Sequence, residues 1–190
     1  MKRKEVCCII NVMDGEKMLY MAGADLHGNA SAYEKIRDKA KELNPDKLFF
    51  LGDFGGEPAW INNVVLDRIY CPIIGVQGNN DSLAFMESLN LGNQGRFYTE
   101  ELGGRKLFFT HGHLYGRTGI PPVLGEGDII FYGHYHFPEL YKKHGVWHVC
   151  VGSAGLPAIG TEATYCLFDG EKIRILSLDT DETVVERSLE

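Results

Sequence analysis

No stretch of this sequence approaches the roughly 20 consecutive apolar residues that a membrane-spanning helix needs, so no membrane partner is expected. The opening MKRKEVCCIINV has the basic start and short apolar run of a leader. That run is brief, a polar MDGEK follows it, and a small-residue cleavage site is missing. It reads instead as a strand (residues 6–12) and a turn of a cytoplasmic protein. Basic residues are also in deficit. Nineteen Lys and Arg against 26 Asp and Glu give a formal net charge of −7. A dedicated nucleic-acid binder usually carries a basic patch, and none is evident here. Anionic substrates are not excluded by this balance, since bound metal cations reverse the local charge. CxxC pairs are absent, and the five cysteines, Cys7, Cys8, Cys71, Cys150 and Cys166, are odd in number. Most lie in apolar, strand-like runs. They read as buried free thiols in a reducing compartment, not as a disulfide framework or thiolate metal site. No internal repeat or low-complexity segment occurs.

What is present is ordinary in bulk and unusual in placement. The 190 residues suffice for one domain with a sizeable core, and 44% hydrophobic with 24% charged residues is typical of globular chains. Apolar runs predict strands at residues 6–12, 17–24, 47–51, 72–76, 96–102, 106–110, 128–132, 146–151, 164–168 and 173–178. Residues 31–43 repeat apolar side chains at Tyr33, Ile36, Ala40 and Leu43, the period of an amphipathic helix. Asn29 or Ser31 would cap it. Residues 57–70 predict a second helix, with Pro58 in its first turn. Strands alternating with helices and then a strand-rich half suggest an α/β fold, a layered αββα sandwich.

The segment QGNNDS at residues 77–82 follows one of these strands. Taken alone it is a turn, because Gly, Asn and Asp are turn formers. Other strands end in the same manner: Asp25 and His27, Asp53, His111 and His113, His134 and His136. Ligand sites of open α/β folds gather beyond the carboxyl ends of strands. A lone His near a strand is usually structural, but here five of the seven histidines stand in Asp-x-His or His-x-His triplets. The set contains no cysteine. Mixed carboxylate, imidazole and amide oxygen suits Mn²⁺, Fe²⁺, Zn²⁺ or Ni²⁺. There are more donors than one ion needs, as two ions about 3.5–4 Å apart would require.

The order D-x-H, GD, GNxD, H, GHxH resembles the calcineurin-like metallophosphoesterase superfamily. It is supplied here by Asp25-Leu26-His27, Gly52-Asp53, Gly78-Asn79-Asn80-Asp81, His111 and Gly133-His134-Tyr135-His136. THGHLYG (110–116), YGHYHFP (132–138) and VGSAGLP (151–157) are similar to its small YfcE-type phosphodiesterases. The resemblance runs from about residue 18 onward, so the chain is expected to be one domain, 1–190, with residues 1–17 outside the family-like core. It implies a four-layer αββα sandwich with mixed sheets. It also implies a first metal held by Asp25, His27 and His136, a second by Asn79, His111 and His134, and Asp53 bridging them. Mn²⁺ is the preferred metal, with Fe²⁺, Zn²⁺, Ni²⁺ or Mg²⁺ as alternatives. The implied reaction is phosphodiester hydrolysis by a hydroxide bridging the two ions. The alternatives are a metal-binding scaffold like Vps29, a phosphomonoesterase or a nucleotide pyrophosphatase.

Several residues carry further expectations. Many family members have His where this chain has Asn80. An amide does not titrate near neutrality, so Asn80 cannot be a general acid, but it can donate to a phosphoryl oxygen. Small diesters with good leaving groups are therefore the expected substrates. His113 is expected to line the pocket, donate to phosphate or orient His111, in preference to ligating metal. Tyr115 and Arg117 are the candidates for substrate recognition. Asp81 has two readings, a partner for His27 or His134, or a cap for a helix starting near Ser82. Ser153 reads as a turn residue and Trp60 as core. His144 and His148 read as structural or solvated, and the acidic end, residues 179–190, as a short strand and solvated tail. An exposed edge strand at residues 6–12 could pair between subunits, giving a homodimer or larger homo-oligomer.

Overall fold

A computed structural model describes residues 18–92 and 95–189. The strand expected at residues 6–12 lies outside them. Strand β1 (Tyr20–Gly23) leads into helix α1 (Ala30–Leu43), which buries Tyr33, Ile36 and Ala40. Asn29 is the cap, its side chain accepting from the Ala32 N–H at 3.2 Å. The helix stops at Asn44, in the left-handed conformation (φ 46°), just before Pro45. Strand β2 (Lys47–Phe50) follows.

The helix expected over residues 57–70 is not one regular helix. It begins as α2 (Pro58–Trp60), widens to a π turn (Ile61–Val65) and closes as a 3₁₀ turn (Leu66–Arg68). Two features oppose a regular ladder. The β-branched and Asn residues of INNVV are weak helix formers. The Val64 carbonyl accepts from Arg37 Nη1 of α1, and the Asn62 amide is bonded to Ser88 and Asn90. Strand β3 (Ile73–Gly75) precedes the short helix α3 (Leu83–Glu87).

The second half is strand-rich. The hairpin β4 (Phe97–Leu102) and β5 (Arg105–Thr110) turns at Gly103-Gly104. Then come β6 (Ile129–Tyr132), β7 (Pro138–Lys143), β8 (Val146–Val151), β9 (Thr164–Phe168), β10 (Lys172–Ser177) and β11 (Thr183–Ser188). A hairpin around residues 142–148 was expected, and β7 is its first arm, whose extent the sequence did not mark. The strand opens with a proline, which a sheet tolerates on an edge strand, and β7 is an edge.

The strands form two mixed sheets, as expected. The first has the order β11-β10-β9-β1-β2-β3, with β1, β2 and β3 parallel. The second has the order β4-β5-β6-β8-β7, with β5, β6 and β8 parallel. Between them lies the main core, where Phe49 of the first sheet stacks on Phe109 of the second with centroids 3.8 Å apart. Helix α1 and the π turn cover the outer face of the first sheet, with Trp60 packed edge-on to Tyr33. Among the described residues the outer face of the second sheet is covered by a loop, residues 112–128, not by helices. Tyr115, Ile120 and Leu124 pack there on Phe108, Ile130 and Tyr132. No helix among the described residues is long and apolar enough to cross a membrane.

Candidate metal centre

The parallel strands of both sheets end on the same side, and their ends bring the polar triplets together. Asp25 and His27 follow β1, Asp53 follows β2 and Asn79 follows β3. His111 follows β5, and His134 and His136 follow β6. The seven positions expected to hold metal thus come from both sheets. Hydrogen bonds lock the ends together: Asp25 N–H donates to the Gly52 carbonyl, His27 N–H to Asp53, and Gly133 N–H to His111. His134 N–H crosses between sheets to Asp25 Oδ2 at 2.8 Å.

The backbone here is strained in the manner of a functional site. Asp25, His27, Asp53, His134 and His136 all have φ between 46° and 69°, a region that non-glycine residues rarely adopt. The glycines of the motifs are needed for close approach. A Cβ on Gly78 would collide with Asp53 Oδ1, and one on Gly133 with Asp25 Oδ2.

Distances define two clusters. In the first, His27 Nε2 lies 3.3 Å from His136 Nε2, and His136 Nε2 lies 3.3 Å from Asp25 Oδ1. In the second, His111 Nε2 is 2.9 Å from Asn79 Oδ1 and 3.4 Å from Asp53 Oδ1. His27 Nε2 lies 3.7 Å from Asp53 Oδ2, so Asp53 faces both clusters. Asp25 also groups with Asp53 and His111, which puts its carboxylate near the second cluster as well as the first. His134 sits beside the second cluster, its ring centroid 5.1 Å from that of His111.

Two backbone carbonyls set the ring orientations. His111 Nδ1 faces the Leu51 carbonyl at 2.8 Å, and His136 Nδ1 faces that of Leu156 at 2.6 Å. Each Nδ1 must donate, so in the neutral ring each Nε2 offers a lone pair. Those lone pairs point at other acceptors: Asn79 Oδ1 and Asp53 Oδ1 for His111, Asp25 Oδ1 for His136. Asp25 Oδ1 is buried and accepts no hydrogen bond at all. Acceptors facing acceptors around neutral rings, with an orphaned buried carboxylate oxygen, fit divalent cations.

Without cations, the site's own charges shift one another. Burial alone would raise the Asp53 carboxyl, but His111 and the Asn80 amides outweigh it and hold it well below the usual range. Burial opposes the charged form of His111, yet Asp53, Asp25 and the Leu51 carbonyl raise it overall. Asp25 raises His136. Burial and the neighbouring His111 lower His134.

The remaining residues depart from expectation in part. Asn80 donates twice to Asp53, from its N–H to Oδ1 at 3.0 Å and from Nδ2 to Oδ2 at 2.7 Å. One N–H of its amide thus goes to the carboxylate, and the second N–H of the same NH₂ has no partner among the described residues. Both readings of Asp81 fail. Its oxygens accept the backbone N–H groups of Asp53 (2.8 Å), Phe54 (2.9 Å) and Gly78 (2.9 Å), pinning the β2 loop to the β3 loop. The cap of α3 is Ser82, whose Oγ accepts from Phe85 N–H. His113 does not orient His111, because Leu51 already does. Its ring stands 5.4 Å from that of His111, with Nδ1 buried and unpartnered, and burial followed by the two neighbouring histidines lowers its pKa.

Tyr115 packs edge-on to Phe108 on the outer face of the second sheet, a packing role that the expected substrate contact does not explain. Arg117 lies over the rings of Phe137 (5.4 Å) and Tyr135 (6.0 Å) and pairs with Glu139 at 3.6 Å. It adjoins the GHYH segment without reaching the clusters. Ser153 donates to the Asp25 carbonyl and accepts from Leu156 N–H, fixing the turn that aims Leu156 at His136. The Leu51 and Leu156 carbonyls left no signal in the sequence, because any residue supplies a carbonyl.

Residues 18–172 match the calcineurin-like phosphoesterase superfamily domain. The chain is 27% identical over 179 residues to the phosphodiesterase YfcE of Escherichia coli K12, covering 88% of this chain and 96% of YfcE. The solved structure of the E. coli phosphoesterase YfcE superposes with a TM-score of 0.80 at 25% identity, covering 91% of this chain and all of that one. Vps29 from Entamoeba histolytica, solved with Zn²⁺, superposes with a TM-score of 0.62 at 16% identity, covering 91% of this chain and 100% of that one. That last likeness concerns the fold alone.

Proposed function

Because the chain belongs to the calcineurin-like phosphoesterase superfamily, we propose that it is a dinuclear metal-dependent phosphodiesterase acting on small diesters. One observation carries the reading: backbone carbonyls turn the Nε2 atoms of neutral His111 and His136 onto carboxylate and amide oxygens, an arrangement that supports bound cations. Asp25, His27 and His136 would hold one ion. Asn79, His111 and His134 would hold the other, with Asp53 between. The name of YfcE supports the diester as substrate.

Divalent cations bound here would supply Lewis acidity, offset phosphoryl charge and lower the pKa of water at neutral pH. Mn²⁺ suits the mixed oxygen and nitrogen donors, as do Fe²⁺, Zn²⁺ and Ni²⁺. The chain's own residues do the positioning. Asp81 and Asn80 hold Asp53, and the Leu51 and Leu156 carbonyls keep the Nδ1 protons of His111 and His136. His113 is the imidazole left over. Beside His111 and His134, with its pKa lowered, it stays neutral and offers a hydrogen bond to a phosphoryl oxygen or the leaving group. No side-chain nucleophile is required, and Ser153 is engaged in its turn.

The test is one preparation. The protein is purified without chelator, its metals are counted, and bis-p-nitrophenyl phosphate hydrolysis is measured with added Mn²⁺, beside Asp53→Asn. Two ions per chain and Mn²⁺-dependent turnover that collapses in Asp53→Asn are expected. Two ions with turnover no better than that of the variant would leave a metal-binding scaffold. Failure to bind any transition metal would end the assignment.

A further inference from the structure

His148 is buried within the outer layer of the second sheet, and neither of its ring nitrogens makes a hydrogen bond. The Gly116 carbonyl approaches the ring closely enough to favour protonation slightly, without closing a bond of normal geometry. A buried, unsatisfied polar side chain destabilises the fold, so the position calls for a reason. The ring is not loosely held. Tyr141 stacks on it with centroids 4.8 Å apart and planes within 11°, and Tyr132 meets it edge-on. It borders a cavity of about 250 Å³ whose other walls include Arg117, Thr118, Lys143 and His144.

The charge of that cavity stands out on a chain with a net charge of −7. Arg117 and Lys143 bring two full positive charges, and no carboxylate lines the space. The buried Glu139 Oε2 pairs with Arg117 at 3.6 Å, and among the described residues Lys143 has no carboxylate partner. Its neighbour Lys142 is paired with Glu126. His144 sits in the β7–β8 turn with φ 50°, held outward at the rim. Donors surround the space: guanidinium, ammonium, the Thr118 hydroxyl and whichever nitrogen of the neutral His148 carries its proton.

We propose that this cavity is a second anion site, distinct from the metal centre, that takes a phosphate-like oxyanion. An oxyanion there makes charge-assisted bonds to Lys143 and Arg117, and it meets a His148 nitrogen, itself closed to water, once the thin wall between them yields. Its place suggests a use. Arg117 reaches from the cavity over Tyr135 and Phe137, and these flank His136. The occupant is either free phosphate or a second phosphate carried by the substrate, remote from the bond that is cut. The first source does not depend on the phosphodiesterase reading. The second rests on it.

The test separates the two. Metal-free protein is titrated with inorganic phosphate while the His148 ring nitrogens are followed by NMR. Saturable binding is expected, with His148 shifting. Lys143→Gln, an exposed change that leaves the fold alone, should weaken it about tenfold, the worth of one charge-assisted hydrogen bond. His148→Phe, which keeps the stack on Tyr141, should weaken it similarly, whereas Asp53→Asn should not alter it. With metal restored, the KM of Lys143→Gln is compared on bis-p-nitrophenyl phosphate and on a diester bearing a remote phosphate. A rise confined to the second substrate assigns the pocket to the substrate, and equal values assign it to free anion. Absence of saturable binding in the native protein, or binding untouched by Lys143→Gln and His148→Phe, overturns the site even if the phosphodiesterase activity is confirmed.

Discussion

Asn80 stands where many relatives have a histidine, and its two hydrogen bonds to Asp53 give it a function of its own. It fixes the plane of the carboxylate proposed to bridge the ions. It cannot protonate a leaving group. Asn80→His would supply a titrating group at the cost of one of those bonds. Turnover of alkyl diesters should rise relative to aryl diesters by about 10²-fold, the usual worth of a general acid. An unchanged ratio of the two rates would count against a leaving-group role for this position. His148 allows a second test at this scale. Burial, with Lys143 adding, pushes its pKa down from 6.5 to about 4. Between those values the unfolded chain binds a proton that the folded chain refuses. Stability is therefore full above pH 6.5 and falls as pH drops toward 4, by about 3 kcal/mol in phosphate-free buffer. His148→Phe should flatten that acid limb in urea melts between pH 6.5 and 4. Parallel curves for both proteins would contradict a neutral buried ring. The sequence placed His148 among structural or solvated residues, and nothing in WHVC could reveal two unsatisfied nitrogens. The donor residues were legible because five of the seven histidines stand in Asp-x-His or His-x-His triplets just after apolar runs. The carbonyls that orient them were not.

At the level of elements, the site depends on loops that only certain glycines permit. Strand positions were readable from apolar runs. So was helix α1, from its 3.6-residue period and the Asn29 cap. The π turn at Ile61–Val65 was not, because it follows from Arg37 of another helix taking the Val64 carbonyl. Of β7 only the hairpin turn was readable, because its pairing with β8, not its own pattern, makes the rest a strand. The β2 and β3 loops are pinned by Asp81, and Gly78 lies so close that a methyl there meets Asp53. Gly78→Ala should therefore displace Asp53 while leaving both sheets intact. Bound Mn²⁺ should fall at least about tenfold with far-UV circular dichroism unchanged, in line with loss of a supporting contact to a metal ligand. Gly104→Ala is the control, with a positive φ but no atom within 4 Å of an added Cβ. It should cost some stability and no metal. Equal metal loss in the two variants would mean that general loosening, and not the Asp53 contact, sets affinity.

For the whole molecule, the decisive fact is how the donors divide. Asp25, His27, Asp53 and Asn79 follow strands of the first sheet, and His111, His134 and His136 follow strands of the second. Bound cations would therefore act as a clasp across the sandwich at one end of the aromatic core that joins Phe49 to Phe109. Without them, Asp25 and Asp53 remain buried close together, relieved only by hydrogen bonds and by partly protonated imidazoles. Cations that bind the folded chain alone stabilise it by mass action, about 2.7 kcal/mol for each ion present at 100 times its Kd. For a chain of this length each kcal/mol moves the melting temperature by roughly 2–4 °C. Chelation should accordingly lower the Tm by roughly 10–20 °C if two ions are held, and about half that for one. Adding back Mn²⁺ should restore it. The Asp53→Asn protein should respond far less, because its clasp has lost the shared charge. Calorimetry of the native and Asp53→Asn proteins, each with chelator and with Mn²⁺, reads all four states. A native Tm indifferent to chelator, in protein shown to lose its metal, would mean that the two sheets hold together by their core alone.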